Sequence, residues 1–233
     1  NPIIVNKDAD LRLALEGVLW GAFGTTGQRC TAASRVILHR KIAAEFTRKL
    51  VAAAKALRMG NGLLPRTDLG PLVNASARHK VSHYVELGKE EGAKLLCGGT
   101  APKGTGYFFL PTIFSNATMD MRLAREEIFG PVLSVIEAAS LDEAIDLANA
   151  VEYGLSSALY TRDVNAAFRA IERLETGITY VNSSTIGAEV HLPFGGVKGS
   201  GTAREGSAGI EEFTEVKTVY IDYSGKLQKA QMD

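Results

Sequence analysis

From residue 35 to residue 181 the chain alternates short strand-like runs with helical stretches, and that alternation constrains its fold more than any other feature. Two parallel strands cannot be joined by a tight turn. They need a crossover of about a dozen residues, ordinarily a helix. The pattern predicts strands over 35–39, 93–97, 108–114, 132–136, 157–160 and 178–181, and helices over 11–23, 42–59, 75–91, 141–151 and 164–174. The β-branched pair Val36 and Ile37 marks the first strand. Asp8 or Asp10 can cap the first helix, and Phe46, Leu50 and Leu57 line one side of the second. Pro111 has no N–H for a ladder, which marks 108–114 as an edge or interrupted strand. The fold class expected is α/β: a parallel sheet covered by helices on both faces, three layers in all.

Such sheets bind ligands outside the carboxyl ends of their strands. The long Gly/Ser-rich loop 182–209 follows the strand 178–181, so the expected site lies at that edge. Loops of this length inside a compact domain are usually functional or disordered.

With 233 residues, 45% of them hydrophobic, the chain makes one or at most two domains. Its 26 basic and 26 acidic side chains balance, so no overall field draws it to nucleic acid or an anionic membrane. The apolar runs are too short to span a bilayer. Two cysteines are too few for a disulfide framework and suit a reducing compartment, the cytoplasm. No basic leader and no initiator methionine precede the opening Asn-Pro-Ile-Ile-Val run, so the chain is expected to be a processed product or a piece of something longer.

Chemistry concentrates in a few segments. Cys30 stands on a short polar loop between Arg29 and Thr31, just past the first helix. A neighbouring cation favours the thiolate, the nucleophilic form, and a free thiol needs only modest help from its usual pKa of about 8.5. Cys97, among Leu95, Leu96 and Gly98, reads as core. Glu126 and Glu127 read as a surface pair by default, but the Ile-Phe-Gly-Pro that follows sets an aromatic ring beside an acid at a turn, a pairing suited to a ribose hydroxyl and a flat heteroaromatic ring. The loop Gly195–Gly201 invites a phosphate-cradle reading, yet Lys198 precedes Gly199 where a Walker loop needs the reverse, and Arg204 replaces a third fingerprint glycine. His79 and His83 share a helix face without further ligands and read as solvated residues, so no metal is expected. His39, at a strand end, reads as structural.

Four motifs occur in order: Phe23-x-x-x-Gly27-Gln-x-Cys30, Glu126-Glu-Ile-Phe-Gly-Pro-Val132, Pro193-Phe-Gly-Gly-x-Lys-x-Ser-Gly201 and Glu212-Phe-Thr-Glu-Val-Lys-Thr218. Together the chain resembles the NAD(P)-dependent aldehyde dehydrogenase superfamily over essentially its whole length. The resemblance implies that Cys30 is the nucleophile toward a small aldehyde, passing through a thiohemiacetal and a thioester to the carboxylic acid, and that its backbone N–H is half of an oxyanion hole. It implies NAD or NADP as cofactor, with Glu127 on the ribose and Phe129 beside the nicotinamide. Phe194, Thr31 and His191 would line the substrate tunnel. It implies a catalytic domain over residues 1–212 and an oligomerisation strand and tail over 213–233, with Val216–Tyr223 adding to a neighbour's sheet in a homodimer or tetramer.

The opening Asn-Pro matches the end of the family's Glu-Leu-Gly-Gly-Lys-Asn-Pro stretch, which leaves the general-base glutamate, the second oxyanion donor and the cofactor domain outside this sequence. Loss of a general base alone costs ~10²–10⁴-fold, so the isolated piece is expected to be nearly inert. The rival expectations are a non-catalytic assembly or binding module of the same fold, and a nucleotide-binding protein that uses the 195–201 loop.

Overall fold

The computed structural model describes residues 1–226. In chain order the elements are β1 (Pro2–Val5), α1 (Leu11–Phe23), β2 (Arg35–His39), α2 (Arg40–Ala56), α3 (Ala75–Glu90), β3 (Lys94–Cys97), β4 (Thr112–Ser115), α4 (Arg122–Arg125), β5 (Val132–Ala138), α5 (Leu141–Asn149), β6 (Tyr153–Gly154), β7 (Ser156–Tyr160), α6 (Val164–Arg173), β8 (Ile178–Val181), β9 (Val197–Lys198) and α7 (Gly209–Glu212). The large sheet runs β3-β4-β5-β2-β1-β7-β8, and β6 pairs with β9 apart from it.

Strand alternation divides the core into two layers. Ile3, Val5, Val36, Leu38, Ala158 and Tyr160 point to the face covered by α1 and α2, where Val18, Phe23, Phe46 and Leu50 meet them. Ile4, Ile37, Ile136 and Leu159 point the other way, onto Ile145 of α5 and Ala170 of α6. Residues one apart thus feed opposite layers, as the pleat requires. A third cluster packs Val81 and Val85 of α3 against Phe109, Phe114 and Ile128.

The structure bears out the three-layer α/β class and corrects it in detail. The sheet is not wholly parallel, because β3 runs antiparallel to β4. β4 is an interior strand, between β3 and β5, and not an edge. It begins just after Pro111, so the missing proline N–H removes no ladder bond. α2 starts two residues earlier than predicted because the His39 imidazole accepts the Lys41 N–H, and it stops at Leu57, whose backbone is extended. The central strand β1 went unrecognised: four buried residues show neither period, and a proline opens them.

Val216–Tyr223 forms no ladder among the described residues, and Val216, Tyr220 and Tyr223 are 97%, 94% and 95% exposed. The part of the predicted tail beyond residue 226 lies outside the described residues.

Candidate active site

The segments that lead into β1, β2, β5, β7 and β8 wall one cavity of about 290 Å³. Its lining includes Asn1, Cys30, Arg35, Glu127, Phe129 and Ser156. This is the amino edge of the parallel strands, the opposite of the predicted edge. The loop after β8 explains the difference. It leaves the carboxyl edge at Asn182, whose side chain accepts the Thr161 N–H, and returns to pack its glycines against Gly154 and Gly177 ahead of β7 and β8.

Cys30 reaches the cavity through a sharp reversal of the chain. α1 ends at Gly24, whose N–H bonds to the Trp20 carbonyl. Thr26 and Gly27 then take left-handed backbone (φ 57° and 66°). A Cβ on Gly27 would stand 2.1 Å from the Gly130 carbonyl oxygen, so only glycine lets this loop touch the turn that carries Phe129. Gln28 anchors the loop base: its Oε1 accepts the Val73 N–H (2.9 Å) and its Nε2 donates to the Pro71 carbonyl (3.3 Å). At the far side the Asn1 side chain bonds to the carbonyls of Cys30 and Ala32. Cys30 itself is exposed.

The two adjacent glutamates have separate fates. Glu126 accepts from Arg122 (2.6 and 3.0 Å) and from the Tyr84 hydroxyl (2.5 Å), and these bonds hold its carboxyl down at about 2. Glu127 is exposed at the cavity, and among the described residues nothing donates to its carboxylate. Its backbone carbonyl accepts from Lys80 Nζ at 2.7 Å, which fixes the turn beneath it. Phe129, in left-handed backbone (φ 58°), is 40% exposed. A free carboxylate and an open aromatic face beside a cavity fit a ribose and a flat ring.

The other predicted residues lie elsewhere. Thr31 is buried, and neither it nor His191 nor Phe194 lines the cavity. His191 is exposed, with its carbonyl accepting from Ser207 Oγ (2.9 Å). Phe194 is half-buried and pairs its backbone with Glu205. Cys97 is buried, its Sγ near the Pro111 carbonyl (3.7 Å), and burial pushes its thiol up. His79 and His83 are exposed on α3, and His39 caps α2. The Lys198 ammonium is engaged by the carbonyls of Asn149 and Val151 and by Glu175 (2.5 Å), while Arg204 bonds the Gly196, Thr202 and Ala203 carbonyls. The cations that a phosphate reading needs are therefore committed to the fold. Among the described residues no three His, Cys, Asp or Glu side chains are placed to hold a metal, and no helix is long and apolar enough to cross a membrane.

Asn1 and Arg35 are among the cavity-wall residues that sequence reasoning missed. Asn1 carries no signal in a linear reading, because its partners lie 29 and more residues away. Arg35 was read only as the start of a strand. It is buried against the last turn of α5, donating to the carbonyls of Leu147 (3.1 Å) and Ala148 (3.3 Å), and burial draws its guanidinium down to about 10. Those carbonyls are orphans of a helix end, a favourable place for a cation.

Residues 1–219 match the family model described as "Aldehyde dehydrogenase family". The chain is 45% identical over 225 residues to a betaine aldehyde dehydrogenase of Rhizobium leguminosarum, covering 95% of this chain and 46% of that protein. It is 46% identical over 223 residues to a 2,5-dioxopentanoate dehydrogenase of Saccharolobus solfataricus, with 94% and 46% covered. A crystal structure of an NAD-dependent aldehyde dehydrogenase from Sinorhizobium meliloti superposes with a TM-score of 0.93 at 36% identity, covering 98% of this chain and 45% of that one. A betaine aldehyde dehydrogenase point mutant from Staphylococcus aureus, solved with NAD+ and a BME-modified cysteine, gives 0.92 at 35%, covering 97% of this chain and 47% of that one. The chain thus spans about half the length of the curated relatives it matches. On its motifs, its fold and these likenesses, the chain belongs to the aldehyde dehydrogenase family.

Proposed function

We propose that this chain is the catalytic-domain part of an NAD(P)-dependent aldehyde dehydrogenase that oxidises a small aldehyde to a carboxylic acid. One observation carries the reading: an exposed thiol, Cys30, shares a cavity with a free carboxylate, Glu127, and an open aromatic face, Phe129. The Cys30 thiolate attacks the carbonyl carbon, forming a C–S bond while the carbonyl π pair moves to oxygen. Among the described residues no acceptor takes the Cys30 backbone N–H, which leaves it for that oxyanion. Bound NAD(P)+ would supply the oxidant, taking the hydride that leaves the thiohemiacetal carbon as the oxyanion pair re-forms C=O and leaves a thioester on Cys30. Glu127 would accept hydrogen bonds from the nicotinamide ribose, and the Phe129 ring would flank the nicotinamide. Water then cleaves the Cys30 thioester and releases the acid. Thr31, His191 and Phe194, which stand outside the cavity wall, would line the substrate's approach to it. Two free thiols suit a reducing compartment such as the cytoplasm.

Brief iodoacetamide treatment of the intact protein tests this reading. Cys30 should alkylate well before Cys97, activity should fall in step with Cys30 labelling, and aldehyde should protect it. Earlier labelling of Cys97, or full turnover with Cys30 blocked, would contradict it.

We also propose that residues 213–233 form an oligomerisation segment beside the catalytic unit 1–212. The exposed apolar run Val216–Tyr223 supports this, as does the edge strand β8, which pairs only with β7 among the described residues. Strand addition would satisfy both sets of backbone groups. Truncation after Phe213 should lower the oligomeric mass by light scattering; an unchanged mass would place the segment within its own subunit.

A further inference from the structure

Asn1 precedes the central strand β1, and its side-chain amide spans two walls of the cavity. Nδ2 donates to the Cys30 carbonyl at 2.7 Å and to the Ala32 carbonyl at 2.8 Å. Oδ1 accepts the Ser156 N–H at 3.0 Å, at the first residue of β7. The main-chain carbonyl of Asn1 accepts the Ser34 N–H at 3.1 Å. Both amide hydrogens therefore go to the Cys30 loop, while the amide oxygen is held by the sheet.

The consequence falls on the reacting residue. The carbonyl of Cys30 is fixed by Asn1, whereas its N–H has no acceptor among the described residues. A loop free at this point could rotate the Cys30 peptides and carry thiol and N–H away from a common target. An error of about 1 Å in such placement costs ~10²-fold in rate. Few side chains can replace the amide. Aspartate keeps an acceptor for Ser156 but has no donor for either carbonyl; serine offers one donor on a shorter arm.

We propose that Asn1 is a positioning residue: by holding the carbonyls of Cys30 and Ala32 against the start of β7, it keeps the Cys30 thiol and the Cys30 N–H turned together toward the cavity. The claim rests on Cys30 as the nucleophile, and the experiment separates the two.

In the intact protein, Asn1→Asp should lower kcat about 10²-fold and leave KM for the aldehyde within about threefold. Hydrogen–deuterium exchange should quicken over residues 28–34, with the other peptides and Tm unchanged. Asn1→Ser, with one donor restored, should fall between the two in both readouts, and it carries the test alone if the aspartate variant does not fold. Unchanged exchange over 28–34 would overturn the proposal. So would faster exchange with unchanged kcat, or a loss of activity accompanied by faster exchange throughout the chain. Cys30→Ala serves as the separate control: if it keeps full turnover, the nucleophile reading fails, and the exchange result for Asn1→Asp still judges the clamp.

Discussion

The two edges of the parallel sheet divide their hydrogen-bonding groups in opposite ways. At the carboxyl edge four helices begin, and each spends a side chain on its own first turn. Asp10 accepts from Arg12 and Leu13, His39 from Lys41, Ser140 from Glu143 and Asp163 from Asn165. At the amino edge the loops are tied by backbone and amide contacts, and the side chains of Cys30, Glu127 and Phe129 are left open to a cavity. Left-handed backbone at Thr26, Gly27 and Phe129 lies at this edge as well. The general rule that ligands gather at the carboxyl edge rests on helix N-termini with spare donors. Here the spare groups are on the loops, and the site follows them.

The comparison is tested hardest at the two cysteines. Cys30→Ala should reduce turnover of the intact protein by at least ~10⁴-fold, as loss of a covalent nucleophile does. Cys97→Ala should leave kcat within about twofold while lowering stability by about 1–2 kcal/mol through the small cavity it opens in the core. Comparable losses from both variants would erase the distinction between an open thiol and a packed one. Steady-state kinetics and urea melts give the two readings.

Gly27→Ala comes next. Its methyl group would meet the Gly130 carbonyl in a backbone conformation that disfavours side chains, so the Cys30 loop and the Phe129 turn must part. A fall in kcat of about 10²-fold is expected, with about 1–3 kcal/mol of lost stability. Wild-type kinetics would mean that the contact between the two loops does not matter to the chemistry.

At the other edge, Ser140→Ala should cost about 0.5–2 kcal/mol by thermal or chemical melting, because it removes the cap of α5. Turnover should be unchanged. A specific loss of activity would show that the carboxyl edge is not merely structural.

The smallest effect concerns Glu126. Its carboxyl is held at about 2, below its ordinary 4.5, by Arg122 and Tyr84. A depressed folded-state pKa gives stability that is fully present above the unfolded value and lost as protons bind. That contribution therefore fades as pH falls from about 5 toward about 2. The side chain is 39% exposed, so the effect is screened and modest. Glu126→Gln should flatten the acid limb of the stability profile; an identical limb would mean that the Arg122–Glu126–Tyr84 group adds nothing in solution.

Much of the fold could be read from local pattern. α1 spans the residues that its apolar spacing predicts, β2 and β8 match likewise, and α3 differs by one residue. Local signals failed where the determinant was distant. β1 has no period of its own and is a strand because β2 and β7 flank it. The reversed β3 follows from its ladder with β4, which no feature of Lys94–Cys97 announces. In the cavity wall, Cys30 stood out by its polar, arginine-flanked loop and the Glu126–Glu127 pair by its aromatic neighbour, while only the family resemblance singled out Glu127. The division of labour between Glu126 and Glu127 was not legible, since Tyr84 lies 42 residues away. Nor was the site's position. It depends on the return of the loop after β8 to the amino edge, a matter of glycine packing rather than of sequence period.

The central claim is covalent chemistry at Cys30 in the amino-edge cavity, and trapping the acyl group tests it most directly. The intact protein would be mixed with NAD+ and an aldehyde it turns over, quenched in acid within the first turnover, digested and mapped by mass. The account predicts one added acyl group, on the peptide that contains Cys30, absent when NAD+ is omitted. An acyl group on Cys97 or on another residue, or turnover at full rate with Cys30 free at every time point, would contradict it.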